Sequence, residues 1–224
     1  MKAVIFDCDG TLVDSEVLTN EVLVEAVAEY GLLIPLADAV AAFRGTKMAE
    51  CVSVLEQRLG RALPADFVPR FRARMSAAFR DRLRPVDGAV DLVRSLRQPF
   101  CVASSGPREK IELSLSLTGL LPYFKESIFS SYEVGTWKPE PGLFLHAASA
   151  MGVHPSDCVV VEDSLPGIQA GISAGMQVFA FQPHETDPRI PTTVRVIKHL
   201  FELNEPLSSD AAAPAFRVSS STTR

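Results

Sequence analysis

The residues able to do chemistry in this chain are Asp7 and Asp9 in AVIFDCDGT, Ser104 with Ser105, Lys138, and the adjacent acids Glu162 and Asp163. Ala3, Val4, Ile5 and Phe6 form a continuous apolar run, the pattern of a buried parallel strand. Asp7 ends the run and Asp9 follows two places on. In extended chain such residues share one side, so both carboxylates reach one point while Cys8 faces away. Gly10 and Thr11 allow a sharp turn out of the sheet. Two acids at the end of a buried strand repel each other unless a cation joins them, which weighs against a pair of merely solvated acids.

Asp7 is a candidate nucleophile. A carboxylate is ionised at neutral pH, and its attack on phosphorus gives an aspartyl phosphate. Repulsion between carboxylate and phosphate is the obstacle, and Mg²⁺ with Lys138 would offset it. Asp9 would protonate the leaving oxygen and then take a proton from water, a role that needs a raised pKa. The Ser104 hydroxyl and the N–H groups of Ser105 and Gly106, just before a helix, suit phosphate oxygens, and Gly10 joins them. The metal set Asp7, Asp9, Glu162 and Asp163 offers only oxygen, which favours Mg²⁺ over a thiophilic metal. A serine at a strand end is ordinarily a turn former, and a lone lysine in a loop is ordinarily solvated. Their weight comes from falling together. Arg44 and Lys47, beside Gly45, read equally as contacts to an anionic substrate group or as a solvated helix start.

The elements that position these residues follow from periodicity. Apolar spacing and stop signals predict helices over 16–30, 36–43, 46–59 (capped by Thr46) and 65–83, with no strand signal between Asp14 and Arg84. Beyond Pro85 the pattern alternates. Helices are expected over 88–97, 109–117, 141–151 and 166–174, and strands over 100–103, 127–129, 158–161, 177–181 and 194–197. Alternation of this kind implies a parallel sheet covered on both faces, with ligands at the carboxyl ends of the strands. Gly167, Gly171 and Gly175 recur on one helix face and read as close helix–sheet packing, since no nucleotide-binding fingerprint is present.

At 224 residues and 47% apolar, the chain can bury a substantial core as one domain with a large insertion. Its net charge of −5 argues against nucleic acid as a partner. No apolar run reaches membrane-spanning length and MKAVIFDCDG is not a signal peptide, so a cytoplasmic location with no membrane partner is expected. Cys8, Cys51, Cys101 and Cys158 are widely spaced and read as buried reduced thiols. The four histidines are scattered and read as structural or exposed.

The motifs together resemble the haloacid dehalogenase superfamily of aspartyl-phosphate phosphotransferases. DCDGT is similar to its first motif, Ser104 to the second, Lys138-Pro139 to the third and Glu162-Asp163-Ser164 to the fourth. The resemblance implies an α/β fold, a doubly wound parallel-sheet (Rossmann-like) core from residues 1–14 and 85–203 with an inserted helical cap over 15–84. The tail at 204–224, low in complexity with little to bury, is expected to be disordered. It implies Asp7 as nucleophile and Asp9 as acid and base. It also implies Mg²⁺ on Asp7, the Asp9 carbonyl and Asp163, with Glu162 direct or through water. The stretches FRGTK at Phe43, SSGP at Ser104 and YEVGTWKPEPGLFLHAA at Tyr132 resemble the sugar-phosphatase and β-phosphoglucomutase branch, although Asn more often stands where Ser105 does, and Asp-Asp where Glu162-Asp163 does. The expected function is a Mg²⁺-dependent phosphatase of a small phosphorylated sugar or sugar acid, of the 6-phosphogluconate kind, working as a monomer or weak homo-oligomer. The alternatives are a β-phosphoglucomutase-like phosphomutase, a phosphoglycolate-type phosphatase or a non-catalytic phospho-receiver. Receivers lack a helical insertion, and dehalogenases lack the second acid that Asp9 supplies.

Overall fold

The computed structural model describes residues 1–204, so the tail expected beyond them lies outside the described residues. Six parallel strands form one sheet in the order β3-β2-β1-β4-β5-β6. They are β1 (Ala3–Phe6), β2 (Phe100–Ser104), β3 (Ile128–Ser130), β4 (Cys158–Glu162), β5 (Gln177–Phe181) and β6 (Arg195–Ile197). The chain winds outward from β1 to β3, returns to β4 on the other side of β1, and winds outward again. The strand order therefore reverses between β1 and β4, and a crevice opens there at the carboxyl ends. In register, Phe6 lies beside Val161, and the Asp7 N–H continues the ladder to the Val161 carbonyl at 2.9 Å.

Alternation along each strand builds two apolar layers. Val4, Phe6, Val102, Val159 and Val161 face one side; Ala3, Ile5, Cys101, Ala103 and Val160 face the other. Helices cover both. Before the sheet resumes come α1 (Glu16–Ala28), α2 (Leu36–Phe43), α3 (Met48–Leu59) and α4 (Phe67–Arg82). Within the sheet unit lie α5 (Ala89–Ser95), α6 (Arg108–Leu117), α7 (Leu121–Phe124), α8 (Ser131–Val134), α9 (Gly142–Ala150) and α10 (Leu165–Ser173). Phe67, Phe71, Met75 and Phe79 recur every four residues on α4 and are buried, so this stripe anchors the four-helix unit. The two connections to that unit run side by side: Val13 bridges Pro85 antiparallel, Asp14 N–H meets the Arg84 carbonyl at 3.0 Å, and Val86 N–H meets the Leu12 carbonyl at 3.0 Å. Paired linkers of this kind hold the helical unit over the crevice.

Several expectations are corrected in detail. Thr46 does not cap α3; Lys47 takes that position without a side-chain bond, and the Thr46 hydroxyl reaches back to the Ala42 carbonyl. The short α7 and α8 lacked enough residues to show a period. Gly171 packs on the sheet as expected, since a Cβ there would meet Val178 at 2.7 Å, but Gly175 has open space and φ +72°, which makes it the left-handed stop of α10. All four cysteines are buried and free. Among the described residues, no helix is long and apolar enough to cross a membrane.

Candidate active site

The β1–β4 crevice collects the expected residues. Lys138 is buried, and its ammonium donates to both Asp7 Oδ1 and Glu162 Oε1, the latter at 2.7 Å. The other Glu162 oxygen accepts from the Ser164 N–H at 2.7 Å and from the Ser164 hydroxyl at 2.9 Å. Glu162 is thus engaged at both oxygens, on Lys138 and on the first turn of α10, and direct metal ligation would require it to release one of them. Gly10 is the point of contact between the first and fourth motifs. It sits at φ +77°, and a Cβ there would lie 2.3 Å from Asp163 Oδ2. The buried Gln182 Nε2, which the sequence did not flag, donates to the Asp163 carbonyl at 2.6 Å.

The second motif is folded on itself. The Ser104 hydroxyl accepts from the Gly106 N–H at 3.1 Å, and the Ser130 hydroxyl donates to the Gly106 carbonyl at 2.7 Å. The two bonds fix the Ser104–Ser105–Gly106 loop at the start of α6, and all three residues line one cavity with Asp7, Lys138 and Asp163. That cavity holds about 530 Å³. The helical unit closes its far side. Gly45 approaches Ser164 so tightly that a Cβ would stand 2.6 Å from the Ser164 Cβ, and Arg44 Nε donates to Asp163 Oδ2 at 2.8 Å. Lys47 rests 3.9 Å above the Trp137 ring. Arg44 therefore faces an acid of the crevice in this structure, while Lys47 lines the cavity from an aromatic seat.

Two residues missed by sequence reasoning complete the electrostatics. Lys110, on the first turn of α6, pairs with Asp9 Oδ1 at 2.7 Å, and the Ser15 hydroxyl donates to the same oxygen at 2.7 Å. Glu16, the first residue of α1, lines the cavity near them. The available signals were the position of Glu16 just past the first motif and the cation on the helix after Ser104. Neither has a periodic signature.

Burial pushes Asp7 well above the ordinary carboxylate range; Glu162, Asp163 and Asp9 push the same way and Lys138 opposes them. Asp163 is likewise raised, by burial first and then by Glu162 and Glu16, against Arg44 and Lys138. Burial with Asp9 nearby raises Glu16 to about 7. Asp9 goes the other way in the metal-free crevice. Burial alone would raise it, but the charge and hydrogen bond of Lys110 and the Ser15 hydroxyl outweigh burial and leave its pKa lowered.

The donors fit a hard divalent cation. Five carboxylates crowd the crevice (Asp7, Asp9, Glu162 and Asp163 at the strand ends, Glu16 at the start of α1) and are met by three cations (Arg44, Lys110 and Lys138), and the raised Asp7 and Asp163 are where that excess is felt. Among the described residues no three acidic, imidazole or thiol side chains are already drawn into a ligand cluster. Mg²⁺ asks for less than that, taking one or two carboxylates and completing its shell with water and phosphate.

One further contact makes the site sensitive to a single methyl group. A Cβ at Gly167 would fall 1.7 Å from Glu162 Oε1. Gly167→Ala is expected to displace the Glu162 carboxylate, loosen Lys138, and lower stability by about 1–3 kcal/mol through overpacking. Thermal melts beside kcat will check this; unchanged values for both would show that Glu162 can move at no cost.

The haloacid dehalogenase-like hydrolase family model matches residues 1–175. The 6-phosphogluconate phosphatase of Escherichia coli K12 is 38% identical over 210 residues, covering 92% of this chain and 94% of that protein. Among solved structures, a haloacid dehalogenase-like protein from Agrobacterium tumefaciens C58 superposes with a TM-score of 0.79 at 29% identity, covering 93% of this chain and 98% of that one. A HAD family hydrolase from Deinococcus radiodurans R1, solved with bound phosphate and sodium, gives 0.73 at 31% identity, covering 93% and 96%. Motif order, crevice and similarity agree: the chain belongs to the haloacid dehalogenase-like hydrolases, among their phosphatases.

Proposed function

We propose that this protein is a Mg²⁺-dependent phosphatase of small phosphorylated sugars or sugar acids, working through an aspartyl phosphate on Asp7 in the cytoplasm, as a monomer or weak homo-oligomer. The observation that carries the reading is Lys138 bridging Asp7 and Glu162 at the β1–β4 crevice, with Asp163 against Gly10. Asp7, Asp163 and the Asp9 carbonyl would hold the metal, with Glu162 direct or through water, and its charge would offset repulsion between Asp7 and the phosphoryl group.

Asp7 attacks phosphorus in line with the leaving oxygen, and the phosphorus–oxygen ester bond breaks. Asp9 supplies the proton that the departing sugar alkoxide needs. In the second half Asp9 takes a proton from water, whose oxygen attacks the aspartyl phosphate and frees Asp7 and inorganic phosphate. The resting Asp9–Lys110 pair suits the second half, in which Asp9 is a base. For the first half the entering phosphate, itself an anion, draws Lys110 away and lets Asp9 carry a proton. Lys138 keeps its charge throughout, since Asp7 and Glu162 raise its pKa despite burial. The backbone around Ser105 and Gly106 orients the phosphoryl oxygens. The helical unit over the cavity would keep bulk water away from the reacting groups during turnover.

Release of inorganic phosphate from a panel of sugar phosphates with Mg²⁺, and with no bisphosphate present, tests the reading. Transfer to a second sugar hydroxyl that requires a bisphosphate would instead make the protein a phosphomutase.

A pH prediction follows from the acids. Glu16 rises from 4.5 to about 7 on folding, so its contribution to stability is present below 4.5 and lost as pH climbs through 7. Asp7 and Asp163 are raised and act in the same direction. The lowered Asp9 acts oppositely, but only below the ordinary carboxylate range. The metal-free protein is expected to melt at progressively lower temperature as pH rises from about 4.5 to about 7, and millimolar Mg²⁺ should flatten that slope. A melting temperature that climbs with pH in chelator would contradict this account.

A further inference from the structure

The helical unit contributes a row of cations to the cavity lining. On α4, Arg72, Ser76 and Arg80 recur every four residues and all line the cavity. The other arginines of the helix are spent elsewhere: Arg70 and Arg74 pair with Glu29 at 3.5 and 2.5 Å, and Arg82 pairs with Glu21 at 2.8 Å. Arg72 and Arg80 have no acidic partner among the described residues. Arg72 donates to the Tyr132 hydroxyl at 2.9 Å and lies 5.6 Å over that ring, which aims the guanidinium without neutralising it. Among the described residues, Arg80 reaches the Ser76 carbonyl of its own helix at 3.4 Å and no side chain. Tyr132 packs edge-on against Trp137, the ring that seats Lys47. The floor of the cavity thus has an excess of acid, and its roof has cations in search of one.

We propose that Arg72 and Arg80 form a subsite for a second anionic group at the end of the substrate remote from the phosphate, a carboxylate by preference. This rests on the phosphatase reading above and narrows its substrate class to phosphorylated sugar acids. A guanidinium offers two parallel N–H donors matched to a carboxylate, whereas a neutral hemiacetal leaves that fork without a charged partner. The Tyr132 hydroxyl holds Arg72 in place, so little rotamer entropy is lost when the acid arrives. Charges that hold a group other than the phosphoryl act on the substrate before and during the reaction alike, so their effect belongs mainly to KM.

The test compares 6-phosphogluconate with glucose 6-phosphate, which differ at the carbon remote from the phosphate: carboxylate in one, hemiacetal in the other. The wild type is expected to prefer the acid. Arg72→Gln and Arg80→Gln should each cut the ratio of kcat/KM for acid over aldose by about tenfold, mostly through KM for the acid, with Arg80→Lys keeping part of the preference. Both side chains reach solvent, and melting temperature verifies that the variants are folded. Equal losses on both substrates, or no loss on the acid, overturn the subsite. So does a wild type that hydrolyses both substrates equally well, in which case the phosphatase reading still stands. If the wild type releases no phosphate from any monoester with Mg²⁺, the phosphatase reading itself fails, and the subsite falls with it.

Discussion

Asp7→Asn is expected to abolish turnover, with kcat falling by at least about 10⁴-fold, while the protein stays folded and melts no lower than the parent at neutral pH. The two halves of this result have one cause. The Asp7 oxygen is the atom that bonds to phosphorus, and an amide oxygen cannot replace it as a nucleophile. The ionised carboxylate is also the costly form in this fold. Burial and the neighbouring Glu162, Asp163 and Asp9 raise its pKa against the pull of Lys138. A neutral isostere removes that penalty, and Lys138 keeps Glu162 at 2.7 Å. Loss of activity together with preserved or increased stability separates a nucleophile from a structural acid. Substantial hydrolysis of a generic aryl phosphate by the Asn variant would remove Asp7 from that role.

The second large effect is expected at Lys138, where activity and stability should fall together. Lys138→Met keeps the length of the side chain and its packing near the Phe144 ring, but leaves Asp7 and Glu162 buried without their shared cation. Removing one partner of a buried ionic cluster costs about 3–5 kcal/mol, because the remaining charges lose their solvation and gain nothing in return. The raised pKa of Asp7 should rise further, so the destabilisation shrinks as pH falls and the carboxylate takes up a proton. Turnover is expected to drop by about 10³-fold, chiefly in kcat, since the lysine offsets charge that builds up as Asp7 meets phosphorus. Denaturant melts at two pH values, read beside steady-state kinetics, will check this. A variant as stable as the parent at pH 8 would mean that Lys138 is not the counter-ion of the crevice.

Much of this arrangement could be read before the structure because its signals are local. AVIF followed by acids marks a buried strand with polar groups at its end, and the same signature recurs at Ser104 and Glu162. Parallel strands then bring those ends to one edge. The helical insertion was equally visible, since the apolar stripe Phe67, Phe71, Met75 and Phe79 states its own period. Pairing across long sequence distance was not legible. Nothing in the spacing of Lys110 and Asp9, or of Arg44 and Asp163, reveals that each cation ends up on that acid at 2.7 and 2.8 Å. The lowered Asp9 pKa has the same origin: the acids around it could be counted from the sequence, but the cation that outweighs burial could not. The cap of α3 failed differently. Thr46 has the right side chain, but its hydroxyl turns back to the preceding helix, leaving the cap position to Lys47.

The covalent step is the heart of the account, and trapping reports on it directly. Protein turning over a sugar phosphate with Mg²⁺ should be quenched and reduced with borohydride, then digested for peptide mass spectrometry. Reduction of an acyl phosphate converts the side chain to an alcohol, and that change is expected in the peptide bearing Ala3–Phe6, at Asp7 alone. The same reductive mark at Asp9, Glu162 or Asp163, with Asp7 untouched, would contradict it.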